Sequence, residues 1–233
     1  MKISLFGITD IPLGKHNVRD PRLDVVDKLV EAKKKTYVQV DIVNDAEAST
    51  ADAIVVTTSS RLETILMDLD VVETRLGRSP PEPELSALSK IKTCLEAEQF
   101  AAAANLDAGE AQAVASQTLL TLRPVVVASA EDLGSFDEFL VRVLAESGHI
   151  SYLTVGGPEN RAWLIKKGMT APEAAGAIHT DIQKGFIRAE VISFADVVAA
   201  GGEKEAKHAN KLRLETKQYV VRDYDLVNFR FTK

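Results

Sequence analysis

Apolar residues enter this chain first as short, β-branched runs: 2–8 (KISLFGI), 51–58 (ADAIVVTT) and 123–129 (RPVVVAS). Runs of this kind, with little polar alternation, mark strands covered on both faces. Between the first two, Leu23, Val26, Leu29 and Val30 recur at helical spacing over 22–32, and KKKTYVQVDIV then predicts a second strand. Buried strands separated by helices indicate an α/β fold with a mostly parallel sheet.

From residue 61 the period changes. Leu62, Leu66, Leu69, Val72 and Leu76, then Leu85, Leu88, Ile91 and Leu95, follow 3–4 residue spacing on either side of Pro80-Pro81. The pattern predicts an antiparallel helical hairpin over about 61–104. The Ala-rich 101–104 and AGEAQAVA continue it as a third helix. A capping box at Ser135 and Glu138 opens the next helix, and Gly148 stops it. That glycine divides the chain into 1–148 and 149–233. Beyond it come two short strands (ISYLTVG, RAWLIKKG) and a helix from Thr170-Ala-Pro-Glu173 to about Thr180. A strand GFIRAEVIS, a short helical segment and two final strands (QYVVRD, DLVNFRF) complete the chain. The order ββαβ…ββ in so short a span is that of an α+β, ubiquitin-like β-grasp.

Charge and composition narrow the chemistry. Residues 1–149 carry 15 Lys+Arg against 24 Asp+Glu, whereas residues 150–233 carry 13 against 10. A mildly basic end on an acidic chain suits RNA or an acidic protein. The one cysteine, Cys94, excludes an internal disulfide and a thiolate metal cluster, and its helical context makes it a helix-face residue rather than a nucleophile. His16, His149, His179 and His208 are scattered, with no metal-ligand spacing, so no metal site is expected. No run of about 18 apolar residues occurs, and MKISLFGITD lacks the long apolar core of a secretory signal, so a cytoplasmic protein without membrane contact is expected.

Several segments carry a resemblance. Arg161-Ala-Trp163, Thr170-Ala-Pro, Ile178-His179-Thr-Asp181, Lys184-Gly-Phe-Ile-Arg-Ala-Glu190, Lys211-Leu-Arg-Leu-Glu215, Tyr219-Val-Val and Phe229-Arg-Phe231 occur in one order over the last third of the chain. Together they resemble the TGS domain that ends the YchF proteins, a family of Obg-like P-loop ATPases/GTPases. Upstream, Asp20-Pro-Arg-Leu-Asp24 is similar to the family's PDPRLD segment, Val40-Asp41-Ile42 to the strand entering its Mg²⁺-side motif, and Ala51-Asp-Ala-Ile54 to its TDAI strand. Leu119-Leu-Thr-Leu-Arg-Pro124 is similar to the lead into its base-recognition strand. The resemblance implies a reduced P-loop-GTPase-like sheet with a helical hairpin, followed by the β-grasp.

The nucleotide motifs of that family are altered here. A phosphate loop, GxxxxGK[S/T], wraps phosphates in backbone amides and adds a lysine and a hydroxyl. The only counterpart is Gly7 to Gly14-Lys15-His16, where six residues separate the glycines instead of four and His replaces the hydroxyl. Pro12 also lacks an N–H. The segment that would carry the switch Thr is absent, DxxG reads Asp41-Ile-Val-Asn44, and the base-reading Asn is replaced within Ala128-Ser129-Ala130-Glu131. Asp41, Asp45 and Glu47 lie near a strand end, but no nucleophile and base accompany them.

The expectation is therefore a non-catalytic binding or regulatory protein, not an enzyme, with no catalytic residues and no cofactor. Its partner would be a ribosome, RNA or another protein, without DNA specificity. Gly7, Gly14 and Lys15 would be a vestigial phosphate loop and Asp41 a vestigial Mg²⁺-side residue. Lys184, Arg188, Lys211, Arg213 and Lys217 would bind the partner, with Phe186 and Arg188 on one strand face. The interleaved Phe186, Phe229 and Phe231 either stack on RNA bases or belong to the core, the cations then only keeping an edge strand soluble. The alternative is a switch that binds ATP or GTP with Mg²⁺ and hydrolyses it weakly or not at all.

Overall fold

A computed structural model describes residues 1–232. In chain order its strands are β1 (Lys2–Phe6), β2 (Gly14–Asn17), β3 (Lys34–Thr36), β4 (Gln39–Asn44), β5 (Ala53–Thr57), β6 (Val125–Ala128), β7 (His149–Thr154), β8 (Glu159–Lys166), β9 (Phe186–Ile192), β10 (Arg213–Glu215) and β11 (Leu226–Phe231). Its helices are α1 (Pro21–Leu29), α2 (Arg61–Leu76), α3 (Glu84–Glu96), α4 (Ala108–Val114), α5 (Ala130–Gly134), α6 (Phe136–Glu146), α7 (Ala171–Gly176), α8 (Thr180–Lys184), α9 (Phe194–Ala200) and α10 (Glu203–His208). Two compact units form: Met1–His16 with Val40–Phe139, and Asn17–Gln39 with Leu140–Lys233.

The first unit is built on the sheet β2-β4-β1-β5-β6, with β4, β1, β5 and β6 mutually parallel. Ile3, Leu5, Ile54, Val55 and Val56 are almost wholly buried, as expected of strands covered on both faces. The helical hairpin is present as α2 and α3. Ile65, Val72, Leu88, Ile91 and Leu95 close its core, and Cys94 packs half-buried at the margin. Arg75 and Glu84 bridge the two helices with Nε–Oε1 at 2.7 Å. Asp68, 1% exposed, accepts from the Leu120 N–H (2.8 Å), the Thr121 N–H (2.7 Å) and the Thr121 hydroxyl (2.6 Å). Those three bonds moor α2 to the segment that leads into β6.

The second unit carries the β-grasp order β10-β9-β11-β7-β8, extended at the β8 edge by β3. β7 and β8 form an antiparallel hairpin, and β11 lies parallel to β7 and antiparallel to β9. Against this sheet pack Ala171, Ala174 and Ala175 of α7, with Tyr152, Phe186 and Phe229. Tyr152 meets Phe229 edge-on at 5.7 Å and donates to the Ala174 carbonyl at 2.9 Å. Small residues on α7 let the helix approach these rings closely; each buried Phe contributes about 1.5–3 kcal/mol.

Four local expectations change. KKKTYVQVDIV is two strands, because β3 pairs with β8 in the C-terminal sheet while β4 joins the N-terminal one. Residues 17–39 and 140–148, placed in 1–148 from the sequence, accordingly cluster with the C-terminal unit. The helix opened by Thr170 and Glu173 stops after Gly176 and restarts as α8, where His179 Nδ1 accepts from the Asp181 N–H at 3.1 Å. The capping box expected at Ser135 is instead formed by Ser129 and Asp132 at the start of α5. Among the described residues no helix is long and apolar enough to cross a membrane.

Candidate functional site

In open α/β sheets, ligands settle at the carboxyl ends of the parallel strands. Here that end is formed by Gly7 after β1, Asn44 closing β4, Thr57 closing β5, and Thr58–Ser60 beyond it. Gly7 has φ +68°, and a Cβ there would lie 2.8 Å from Ser60 Oγ, so the position accepts only glycine without strain. Thr57 Oγ1 is 2.8 Å from Ser59 Oγ and 2.9 Å from Ser60 Oγ, a hydroxyl cluster at the opening of α2. The sequence reading missed these hydroxyls; their signal was TTSS between a buried strand and a helical period.

The expected phosphate-loop residues do not converge. After Gly7 the chain returns as strand β2, which begins at Gly14 (φ +106°) and places Lys15 exposed on a strand rather than at the start of a helix. Without a following helix the loop has neither the ordered row of N–H groups nor the dipole that holds phosphate. His16 is spent locally, Nε2 lying 2.6 Å from the Pro12 carbonyl and its ring edge-on to Phe136. Asp41 pairs with Lys2 in the β1–β4 register, at the amino end of the sheet. At about 3.3 Å per residue it sits about 16 Å along the strand from Gly7. The residues present therefore do not fit a phosphate loop with its Mg²⁺ partner. Among the described residues no cluster of three His, Cys, Asp or Glu is arranged to hold a metal ion.

The basic set of the C-terminal unit separates into two groups. Glu215 lies opposite Ala189 and Arg213 opposite Val191, so the strand runs toward the start of β9, the end that follows Lys184, before turning at Lys217, while Lys211 lies toward the other end. Lys211 is paired with Asp196 at 3.1 Å. Arg213 donates to the Tyr219 hydroxyl at 3.2 Å and approaches Asp225 at 3.9 Å. Burial and the hydrogen bond to Asp225 push the Tyr219 hydroxyl up to about 12. Lys184, Arg188 and Lys217 are exposed and have no ion-pair partner among the described residues.

The aromatics divide mostly toward the core. Phe186 (5% exposed) and Phe229 (8%) belong to the core, and only Phe231, at 40%, is open to stacking. Phe186 and Arg188 do not share an outward face: the β9–β11 register slips between Arg230 and Phe231, so Ile187 and Arg188 are both exposed while Phe186 and Ala189 turn inward. Arg230 is engaged by Glu190. Phe231, Ile187, Lys184, Arg188 and Lys217 thus lie toward one end of the sheet.

Asp20-Pro-Arg-Leu-Asp24 has a positioning role within the same unit. Asp20 caps α1 by accepting from the Arg22 N–H at 2.9 Å. Arg22 stacks on Tyr224 with its Cζ 3.7 Å from the ring centre and reaches Asp20 at 2.7 Å and Asp223 at 2.6 Å. Partial burial opposes the guanidinium charge, but the hydrogen bonds to Asp20 and Asp223 outweigh it and raise its pKa.

Comparison with known proteins adds kinship to this geometry. The family model of the YchF-GTPase C-terminal region, described as a protein of unknown function (DUF933), matches residues 149–232. The ribosome-binding ATPase YchF of Bacillus subtilis is 49% identical over 105 residues, covering 43% of this chain and 29% of that protein. Its namesake from Haemophilus influenzae is 32% identical over 231 residues, covering 72% of this chain and 64% of that protein. The chain thus spans less than two thirds of either relative. The solved structure of the Schizosaccharomyces pombe YchF GTPase superposes with a TM-score of 0.75 at 18% identity, covering 99% of this chain and 97% of that one, a likeness of fold. These findings correct the expectation that the chain is not an enzyme: the relatives are named ATPases, which points to a nucleotide-hydrolysing family. Altered spacing at Gly7–Lys15 shows that one phosphate-holding device is missing from one place, and that is weaker ground than kinship along the chain.

Proposed function

Given that the chain belongs to the YchF family, we propose that it is a ribosome-binding protein whose β-grasp makes the contact through the end of the sheet carrying Lys184, Arg188 and Lys217. The observation that carries this is the state of those three side chains, exposed and without ion-pair partners among the described residues, with Lys184 lining one hollow together with the half-open Phe231. Unneutralised cations and an available ring at one end of a sheet provide phosphate contact and base stacking, which ribosomal RNA rewards. The names of the relatives, ribosome-binding ATPases, support the same partner.

Co-sedimentation of the full chain with ribosomes across a salt series tests this. Affinity is expected to fall steeply with salt, and the combined change Lys184→Ala, Arg188→Ala, Lys217→Ala to flatten the dependence by roughly 0.7–0.9 per lost phosphate contact. Lys211→Ala, which removes a cation already held by Asp196, is expected to change little. Binding indifferent to both salt and the triple substitution would move the contact elsewhere, and absence of binding would end the proposal.

A second reading is favoured by the ATPase names and the hydroxyl cluster beside Gly7: ATP or GTP binding at the carboxyl end of the parallel sheet. A fluorescent nucleotide titrated with and without Mg²⁺ tests it. Binding, and any turnover, is expected to survive Lys15→Ala, since Lys15 lies on β2. Loss on that substitution would restore the phosphate-loop assignment, and no binding would remove the reading.

A further inference from the structure

A cavity of about 530 Å³ opens within the C-terminal unit, against the end of α6, the start of β7 and the 220–224 turn. That volume falls in the range of small-molecule sites. Its apolar lining includes Val18, Val38, Leu144, Ile150 and Val221, all largely or partly buried. Its charged lining divides in two. Arg22 is already balanced by Asp20 (2.7 Å) and Asp223 (2.6 Å), and the Arg22–Tyr224 stack fixes that part of the wall. Lys167 and Arg222, also in the lining, are exposed and have no ion-pair partner within the described residues.

The wall is rigid where it matters. Tyr224 is 2% exposed, has φ +61° and donates its N–H to the Ser151 carbonyl at 2.6 Å. Asp225 accepts the Arg222 N–H at 2.9 Å. A non-glycine residue in the left-handed region persists only where its surroundings over-determine it. The turn carrying Arg222 is therefore preset before any ligand arrives, which lowers the ordering cost of binding.

We propose that this cavity is a binding site for a small amphipathic organic anion, its apolar body on the Val18–Leu144–Val221 floor and its negative group at Lys167 and Arg222. A cation would meet two positive charges that have no ion-pair partner within the described residues, and a neutral polar molecule would desolvate the apolar lining without recompense. The site is separate from the Lys184–Arg188–Lys217 end of the sheet, so it stands or falls independently of ribosome binding.

The test uses the full chain and 8-anilinonaphthalene-1-sulfonate, an apolar body with one sulfonate, titrated by its fluorescence, with uncharged N-phenyl-1-naphthylamine in parallel. One saturable site is expected for the sulfonate, with the neutral analogue at least tenfold weaker. Lys167→Ala with Arg222→Ala should weaken the sulfonate at least tenfold while leaving the neutral analogue nearly unchanged. Ala145→Trp, at an exposed helix position that lines the cavity, should block both. Circular dichroism and thermal unfolding establish that each variant is folded; if the double variant does not fold, Ala145→Trp and the analogue pair decide alone. Sulfonate binding unaffected by Ala145→Trp, equal affinity for the two probes, or no saturable site would overturn the proposal.

Discussion

Replacing Asp225 by alanine removes one buried carboxylate from the turn that leads into the last strand. Asp225 is 2% exposed and accepts from the Tyr219 hydroxyl at 2.6 Å and the Arg222 N–H at 2.9 Å, with Arg213 3.9 Å away. Hydrogen bonds to a charged acceptor contribute about 1.5–3 kcal/mol each, and the half-buried Tyr219 hydroxyl regains some water, so the loss is about 2–4 kcal/mol. With a urea slope of about 1–3 kcal/mol per molar, the unfolding midpoint drops by about 1.5 M at the mid-values, within a range of roughly 0.7–4 M. Trp163, the chain's one tryptophan, lies on β8 and packs against the C-terminal core, so its fluorescence follows this unit. The pH dependence supplies a second reading of the same group. Burial raises the Asp225 pKa above its ordinary 3.8, outweighing the hydrogen bonds from Tyr219 and the Arg222 N–H that lower it. A raised folded pKa means the native state holds the proton more tightly, so its contribution is complete below 3.8 and is lost as pH rises through the folded value. The stability gap between the parent and Asp225→Asn should therefore narrow as pH rises from acid toward neutrality. An unmoved midpoint for the alanine variant, or a gap that widens with pH, refutes the assignment.

Asp68→Ala should cost the N-terminal unit about 3 kcal/mol or more, because it strands two buried N–H groups and the Thr121 hydroxyl at once. Amide exchange at Leu120 and Thr121 measures it, and unchanged protection would show that the three bonds do not moor α2. Gly185→Ala would place a Cβ 2.0 Å from the Thr232 carbonyl, a backbone atom, so the end of β11 must detach. Loss of protection at the Thr232 amide, which donates to the Gly185 carbonyl at 2.9 Å, is the expected sign; full protection would contradict it.

Much of the fold was legible in the sequence because its signals are local. β-branched runs marked the parallel strands, the heptad-like leucines marked α2 and α3, and Thr170 with Glu173 marked the opening of α7. Residues 17–39 were misplaced because their membership is decided by non-local pairing. Lys34–Thr36 reads like the start of the strand that follows it, and only its register with Glu159–Arg161 assigns it to the other sheet. The Asp20–Arg22–Asp223 bridge is equally non-local, spanning about two hundred positions that periodicity does not connect.

The basic edge was half legible, and the reason is a phase slip. Strict alternation along Phe186–Arg188 puts positions 186 and 188 on one face, but alternation holds only while the ladder is regular. The irregularity opposite Arg230 and Phe231 shifts the phase, so Phe186 joins the core while Arg188 stays outside with Ile187. Composition could identify the cations but not their partners: Lys211 is consumed by Asp196, and Arg213 is engaged with Tyr219 near Asp225. The cations left over from this set are Lys184, Arg188 and Lys217, although Asp181, Glu190 and Glu215 lie within three positions of them in sequence. A cation costs little to leave unpaired in water, and Lys184, which lines one hollow with the half-open Phe231, keeps both its charge and an apolar neighbour exposed. The slip that defeated the alternation argument is thus what separates the core ring Phe186 from the outward Arg188, and the contact surface proposed for this end of the sheet depends on that separation.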